Sequence, residues 1–507
     1  MHVNPHIAKP ITLYSMGWRI IASVFILSLG ASASLSAQII IDDEALKQAQ
    51  PAPPKEQPTP AQSPAAEQST PRPPSNAPPA FRSPMSPSKQ MTKGQEYIPP
   101  SDAFVDYYYA NMMNIKPYLP QNLQRTELGC STLTARNTEQ YAASISTDFS
   151  QPYWENRVKS DWDFFNIDAQ AGKVLVIDFG QVTQQGQTQL GYRYLSNDHT
   201  YDTLYEPWSS SKIFAFTGAL AKARQQGMSA HAMAGAHRIS DLITSINTYE
   251  PSANADGNSN AIATYFANIA GRDFLTSLFH DRWLLLHNPL IRFRGAYGPT
   301  AFEPSAPTWL NLTTQAVVNI NSFSQATDDP GYQGYRCKTC GLNGNKPMTT
   351  LAQAEWLKRL AAHDRDPLTA HPELHTIDIE TLFYGEQALS QQPDDLGGMA
   401  LGISRILHQA IAEAIAGQSV NNPKRILDNA TQGQWRIFQK IGWGPSETRN
   451  TGEHVVLAHV CLPYYQGGRE FTIAAQTSHP EASDRSVNHA GIKMQRMLAT
   501  AMTQLLQ

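Results

Sequence analysis

Ser209 and Lys212 lie three residues apart in "EPWSSSKIFAFTGAL", the stretch from Glu206 to Leu220. Pro207 is a helix-entry signal, and Ile213, Phe216 and Leu220 recur at helical spacing, so the two side chains are predicted one turn apart. A serine hydroxyl at a helix N-terminus beside an amine can be an activated nucleophile toward a carbonyl carbon. Lys212 takes the proton if burial and a neighbouring cation lower its pKa. Ser210 and Ser211 lack a lysine at that spacing. The pattern alone is weak, since Ser86 and Lys89 repeat it in a proline-rich stretch. What matters is the set of elements around it.

Upstream, "GKVLVIDFG" (172–180) and "QTQLGYRYL" (187–195) read as two strands separated by the polar turn "QVTQQG". From about 240 to 418 the pattern is mostly helical. "TTLAQAEWLKRLAAH" is the clearest helix, with Thr350 and Gln353 as its capping box. Near the C-terminus "QWRIFQKIG", "HVVLAHVCLP" and "REFTIAAQT" read as strands, and "AGIKMQRMLATAMTQLL" closes the chain as a helix. Strands at both ends with helices between them predict one sheet assembled from the two ends of one domain.

The chain has 507 residues and a net charge of −4 without a Lys/Arg cluster. That argues against nucleic acid and against a polybasic membrane surface. Lys9 and Arg19 precede an apolar run, Ile20 to Leu29, then "GASASLSAQ". The run is shorter than the ~20 residues of a membrane span and reads as a signal peptide over 1–37, cleaved after Ala33 or Ala37. The mature chain is therefore expected to be periplasmic or secreted, without a membrane span, and monomeric. Residues 38–100, rich in Pro, Ala, Ser and Gln, read as an extended linker. Residues 101–171 read as an extension packed on a domain spanning 172–507. Cys130, Cys337, Cys340 and Cys461 leave three disulfide pairings open, and "CKTC" reads as a local disulfide or clipped loop, being two ligands short of a structural zinc site. No metal or cofactor is implied.

Further pieces share an order. "KIGWGPSETR" puts Lys440, Gly442 and Trp443 on a strand, with Arg449 nine residues after the lysine. "DGNSNA" supplies Asn258, Ser259 and Asn260 before a helix, and Ser252 to Asn254 is a second S-x-N upstream. "AGRDFLTSLFHD" follows, then "FEPSAPTWLN" with Glu303, then "MTTLAQAEWLKRLAA". This order resembles the penicillin-recognising serine hydrolases, most closely the class A β-lactamase group, whose elements are S-x-x-K, S-D-N and K-T-G. The resemblance covers roughly Gly172 to the C-terminus.

It implies an α+β fold: a three-layer α/β/α sandwich with an antiparallel sheet and an inserted helical subdomain. It further implies Ser209 as nucleophile, Lys212 as base, Lys440 beside them, and Asn258, Ser259 and Asn260 in the second element. The backbone N–H groups of Ser209 and Trp443 would form the oxyanion hole, with Gly442 and Ser259 among the substrate-binding residues. Lys440 and Arg449 would form an electropositive wall for a carboxylate, and Glu303 would deprotonate the hydrolytic water. The expected function is an exported serine acyl hydrolase acting on a β-lactam or a carboxylate-bearing peptidoglycan stem peptide. Three departures support the alternative, a degenerate relative that binds such peptides without turnover. Asn258 replaces a hydroxyl, Ile441 replaces a Thr or Ser, and four extra residues separate Pro304 from Leu310.

Overall fold

Between Gln184 and Gln187 the chain reverses in two residues, Gln185 and Gly186, both at positive φ (52° and 79°). That geometry matches the twist of the strands it joins. The computed structural model describes residues 91–123, 128–334, 345–390 and 392–507. Its main sheet contains β1 (Ser160–Asp161), β2 (Lys173–Gln184) and β3 (Gln187–Ser196) from the first half of the chain. From the second half come β8 (Arg436–Ser446), β9 (Thr451–Leu462) and β10 (Arg469–Pro480). The order is β1-β3-β2-β10-β9-β8, antiparallel except for the short β1–β3 pair. β2 pairs with β10, Val176 opposite Ile473, and there the two ends of the domain meet. The turn expected over "QVTQQG" shrinks to two residues, because "QVTQ" continues β2 and pairs with β3.

Side chains alternate across this sheet, as a two-residue period requires. Leu175, Ile177, Phe179 and Phe438 pack into one core with helices α2 (Lys212–Arg224), α4 (Ser259–Ala270) and α5 (Thr350–Ala361). Val174, Val176, Ile437 and Ile441 pack into a second core with α6 (Ile406–Ala416) and α7 (Asp484–Leu506). Two helical layers thus enclose one sheet, and the fold is the expected three-layer α/β/α sandwich.

The segment between β3 and β8 is not purely helical. It carries a second sheet of four short strands, β4 (Ala232–Ala234), β5 (His237–Arg238), β6 (Thr308–Asn311) and β7 (Val317–Asn319), in the order β5-β4-β6-β7. Strands of two to four residues are too short to print an alternating pattern on the sequence. α5 begins one residue earlier than its expected cap implies: Thr349, not Thr350, is the N-cap, its hydroxyl accepting from Ala352 N–H at 3.1 Å. No capping box forms, and Gln353 points elsewhere.

Before β2, helix α1 (Asp102–Tyr108) lies on α7, where Tyr108 donates to Gln495 Oε1 at 3.2 Å. Cys130 forms a disulfide with Cys461 of β9, closing a separation of 331 residues. Met91 is buried in the second core, and Lys93 pairs with Asp163 at 2.7 Å. The apolar run Ile20 to Leu29, most of the proline-rich segment, Cys337 and Cys340 lie outside the described residues. Among the described residues no helix is long and apolar enough to cross a membrane.

Candidate functional site

Trp208 has φ +51°, a conformation uncommon for a residue with a side chain, and it lies immediately before Ser209. Residues Trp208–Ser211 form a tight 3-10 turn, and α2 proper starts only at Lys212. The predicted helix therefore opens one turn later, with Pro207 at the N-cap of the 3-10 turn.

The three serines differ in what they touch. Ser210 is buried, donates to Pro207 O at 2.6 Å and accepts from Gln353 Nε2 at 2.8 Å, whose Oε1 takes a bond from Tyr205. Ser211 donates to Trp208 O at 2.8 Å and meets the Tyr297 hydroxyl at 3.0 Å. Ser209 is half-buried, and its hydroxyl shares a hydrogen bond with Tyr249. Ser210 and Ser211 are thus tied to the turn and its neighbours, while Ser209 meets Tyr249.

Lys212 is fully buried, and its Nζ donates to Ser259 Oγ at 2.8 Å and to Asn260 Oδ1 at 2.7 Å. Burial, and next the charge of Lys346, push its pKa well below the usual lysine value. In its neutral form the amine would have two N–H groups and one lone pair, and with both N–H groups directed at Ser259 and Asn260 the lone pair would remain to accept a proton.

Lys440, on β8, donates from Nζ to Ile246 O at 2.7 Å. Its pKa is likewise pushed well below the ordinary value, first by burial and then by Lys212. Ser259 donates to the same Ile246 carbonyl at 2.8 Å. Tyr249, at φ +58° on the end of α3 (Ile239–Thr248), places its ring under both amines, 3.9 Å from Lys440 Nζ and 5.0 Å from Lys212 Nζ.

Gly442 explains how strand and turn fit together. A Cβ there would lie 2.7 Å from Pro207 O and from the N–H nitrogens of Ser209 and Ser210. Only glycine lets β8 approach the turn that carries Ser209 so closely. Ile441, one residue earlier, is 1% exposed in the second core, so strand alternation puts it on the sheet face opposite Lys440. Trp443 is half-buried, packing against Tyr249 (5.5 Å) and stacking on His454 (6.4 Å).

The structure thus brings Ser209, Lys212, Ser259, Asn260, Lys440, Gly442 and Trp443 into one region, and treats the other three candidates differently. Asn258 is exposed and caps α4, its Oδ1 accepting from Ala261 N–H at 3.1 Å; the hydroxyl facing Lys212 belongs to Ser259 instead. The upstream alternative is remote from the amines, with Ser252 bridging Ala255 and Asn254 donating to Ala236 O.

Glu303 is exposed and, among the described residues, joins none of the amine cluster's hydrogen bonds; the residues after it run into β6. Arg449 binds Glu453 through two contacts, Nε to Oε1 at 2.6 Å and Nη2 to Oε2 at 2.8 Å. Arg449, one half of the wall expected to be electropositive, is thus paired with an internal carboxylate.

Sequence reasoning missed Tyr249, Tyr297, Glu206, Lys346 and Glu453. Tyr297 lies beneath Lys212 and Lys346, and Glu206 pairs with Lys346 at 3.5 Å. For Tyr249 a signal existed: an aromatic residue at a helix end just before "EP". Among the described residues no group of three or more His, Cys, Asp or Glu is placed to hold a metal ion.

No family model and no curated protein matches the chain. Solved structures similar to it include a β-lactamase from Streptosporangium roseum (12% identity, 66% of this chain and 95% of that chain, TM-score 0.32). Another is the C-terminal domain of the Bacillus licheniformis BlaR penicillin receptor (11%, 66% and 94%, TM-score 0.31). A third is a β-lactamase from Xanthomonas campestris (11%, 65% and 91%, TM-score 0.32). At these values the fold assignment rests on the sheet order and helical layers above.

Proposed function

We propose that this chain carries a serine acyl-transfer site, in which Ser209 forms an ester with the acyl group of a β-lactam or a cell-wall-type peptide and releases it slowly. The observation that carries this reading is the desolvated Lys212 amine, with both its N–H groups engaged and no carboxylate among its hydrogen-bond partners.

In acylation Ser209 Oγ attacks the carbonyl carbon while its proton passes to the Lys212 lone pair, directly or through the Tyr249 hydroxyl. The developing oxyanion is assigned to the N–H groups of Ser209 and Trp443, on the turn and strand that Gly442 brings together. The leaving nitrogen takes a proton relayed from Lys212 through Tyr249 or Ser259.

Release needs a water deprotonated beside the ester. Glu303 stands in solvent, and the hydrogen-bond partners of Lys212 among the described residues are Ser259 and Asn260 rather than a carboxylate. Slow release follows. A second reading, hydrolytic turnover, is favoured by one observation: Glu206 is buried, three residues before Ser209, and its Oε2 has no hydrogen-bond partner among the described residues.

Export is part of the proposal. The apolar run Ile20 to Leu29 and the Cys130–Cys461 disulfide both suit an oxidising compartment outside the cytoplasm. Incubation with a fluorescent penicillin and with p-nitrophenyl acetate, followed by peptide mass spectrometry, tests the reading. An adduct on Ser209 supports it, and modification of other residues only, or of none, overturns it.

A further inference from the structure

Glu453 uses its whole hydrogen-bonding capacity inside the protein. Oε1 accepts from Arg449 Nε at 2.6 Å and from Thr451 Oγ1 at 3.1 Å. Oε2 accepts from Arg449 Nη2 at 2.8 Å and from Trp208 Nε1 at 2.7 Å. The Glu453 side chain is 4% exposed. Trp208 immediately precedes Ser209, and its ring lies on Gly444, where an added Cβ would meet it at 2.3 Å. The carboxylate is therefore fixed between the nucleophile's turn and Arg449, and the two-contact geometry is the one an arginine would offer an incoming carboxylate.

The neighbouring cations do not replace Arg449. Lys212 and Lys440 are pushed toward the neutral amine, and Lys346 pairs with Glu206.

We propose that Glu453 determines specificity: it occupies Arg449 as an internal carboxylate, so that the site favours acyl donors uncharged beside the scissile bond, namely esters, amides and amidated peptides. This rests on Ser209 being an acyl acceptor. A substrate carboxylate arriving there finds the guanidinium taken and a second negative charge at close range, and like charges so placed in a desolvated cleft repel strongly.

Benzylpenicillin and its methyl ester differ in that charge and in one small methyl group, and the rate of adduct formation on Ser209 of the full chain can be followed by intact-mass spectrometry for both. The ester is expected to react roughly tenfold faster or more with the parent protein. Glu453→Gln, which removes the charge and keeps the shape, is expected to abolish or reverse that preference, read as the ratio of the acid and ester rates within the variant, with p-nitrophenyl acetate serving only to show that its Ser209 still reacts. Equal rates for acid and ester in the parent, or a faster acid, overturn the inference while leaving Ser209 as acyl acceptor. So does a folded Glu453→Gln variant with the parent's preference. Should that variant not fold, the parent's preference decides alone. Failure of all three reagents to modify Ser209 overturns the acyl-transfer reading itself.

Discussion

Two segments meet the first turn of α4. The turn at 207–212 does so through Lys212, which donates to Ser259 and Asn260. The loop at 301–311 does so through Phe302 N–H, which donates to Ala261 O at 2.9 Å. The first segment is fixed by Pro207, Ser210, Ser211, Gln353, Tyr297 and the close approach of Gly442. The second holds Phe302 against His237 and Tyr265, and leaves Glu303 in solvent. On the proposed reading, the groups that would attack a carbonyl are held by many contacts here, while Glu303 is not held beside them. That difference would separate making an acyl-enzyme from breaking it.

The strongest test of the first segment is Ser209→Ala, which is expected to abolish covalent labelling with little change in melting temperature. Ser210→Ala should keep the label but lower stability by about 1–3 kcal/mol, because Gln353 Nε2 loses its buried partner. Chemical denaturation paired with labelling separates the two effects.

Lys212→Met comes next, with acylation expected to fall by ~10²–10⁴-fold, the range for losing a general base. It also bears on stability. A lysine whose folded pKa lies below its unfolded value binds more protons when unfolded, so stability rises with pH from the lowered pKa up to 10.5. Melting temperatures across that window should rise less steeply in Lys212→Met than in the parent.

Tyr249→Phe keeps the ring beneath both amines and removes the hydroxyl. Acylation is expected to drop by roughly 10²-fold, the lower end for a proton-relay group. A rate within twofold of the parent removes Tyr249 from the relay.

Gly442→Ala forces a methyl against three backbone atoms that cannot rotate away. The expected cost is about 1–3 kcal/mol, as for overpacking, with labelling slowed because the turn must shift. Retained stability and rate would contradict the close approach of strand and turn.

Long, periodic segments were legible in the sequence: the strands of the main sheet, α5, and the order that brings both ends of the domain together. Within the site, Ser209, Lys212, Lys440 and Gly442 were legible because type and spacing carried the signal. What was not legible depended on distant or short-range geometry. Asn258 and Ser259 differ by one position, and only the N-cap shows which faces Lys212. Glu453 lies four residues after Arg449, but the pairing depends on a β8–β9 connection that folds the chain back. Glu303 sat in a matching tripeptide, yet the residues after it enter β6. A motif fragment gives side-chain identity, and the element that follows decides direction.

Release of the acyl group is where the account is most exposed. After the protein is labelled with benzylpenicillin methyl ester and excess reagent is removed, intact-mass spectrometry can follow the Ser209 adduct in the parent and in Glu303→Gln. The adduct is expected to persist for hours in both, at rates within twofold of each other, because Glu303 stands outside the site. Loss of the adduct within seconds from the parent, with persistence only in Glu303→Gln, would contradict the account and make that loop the hydrolytic base.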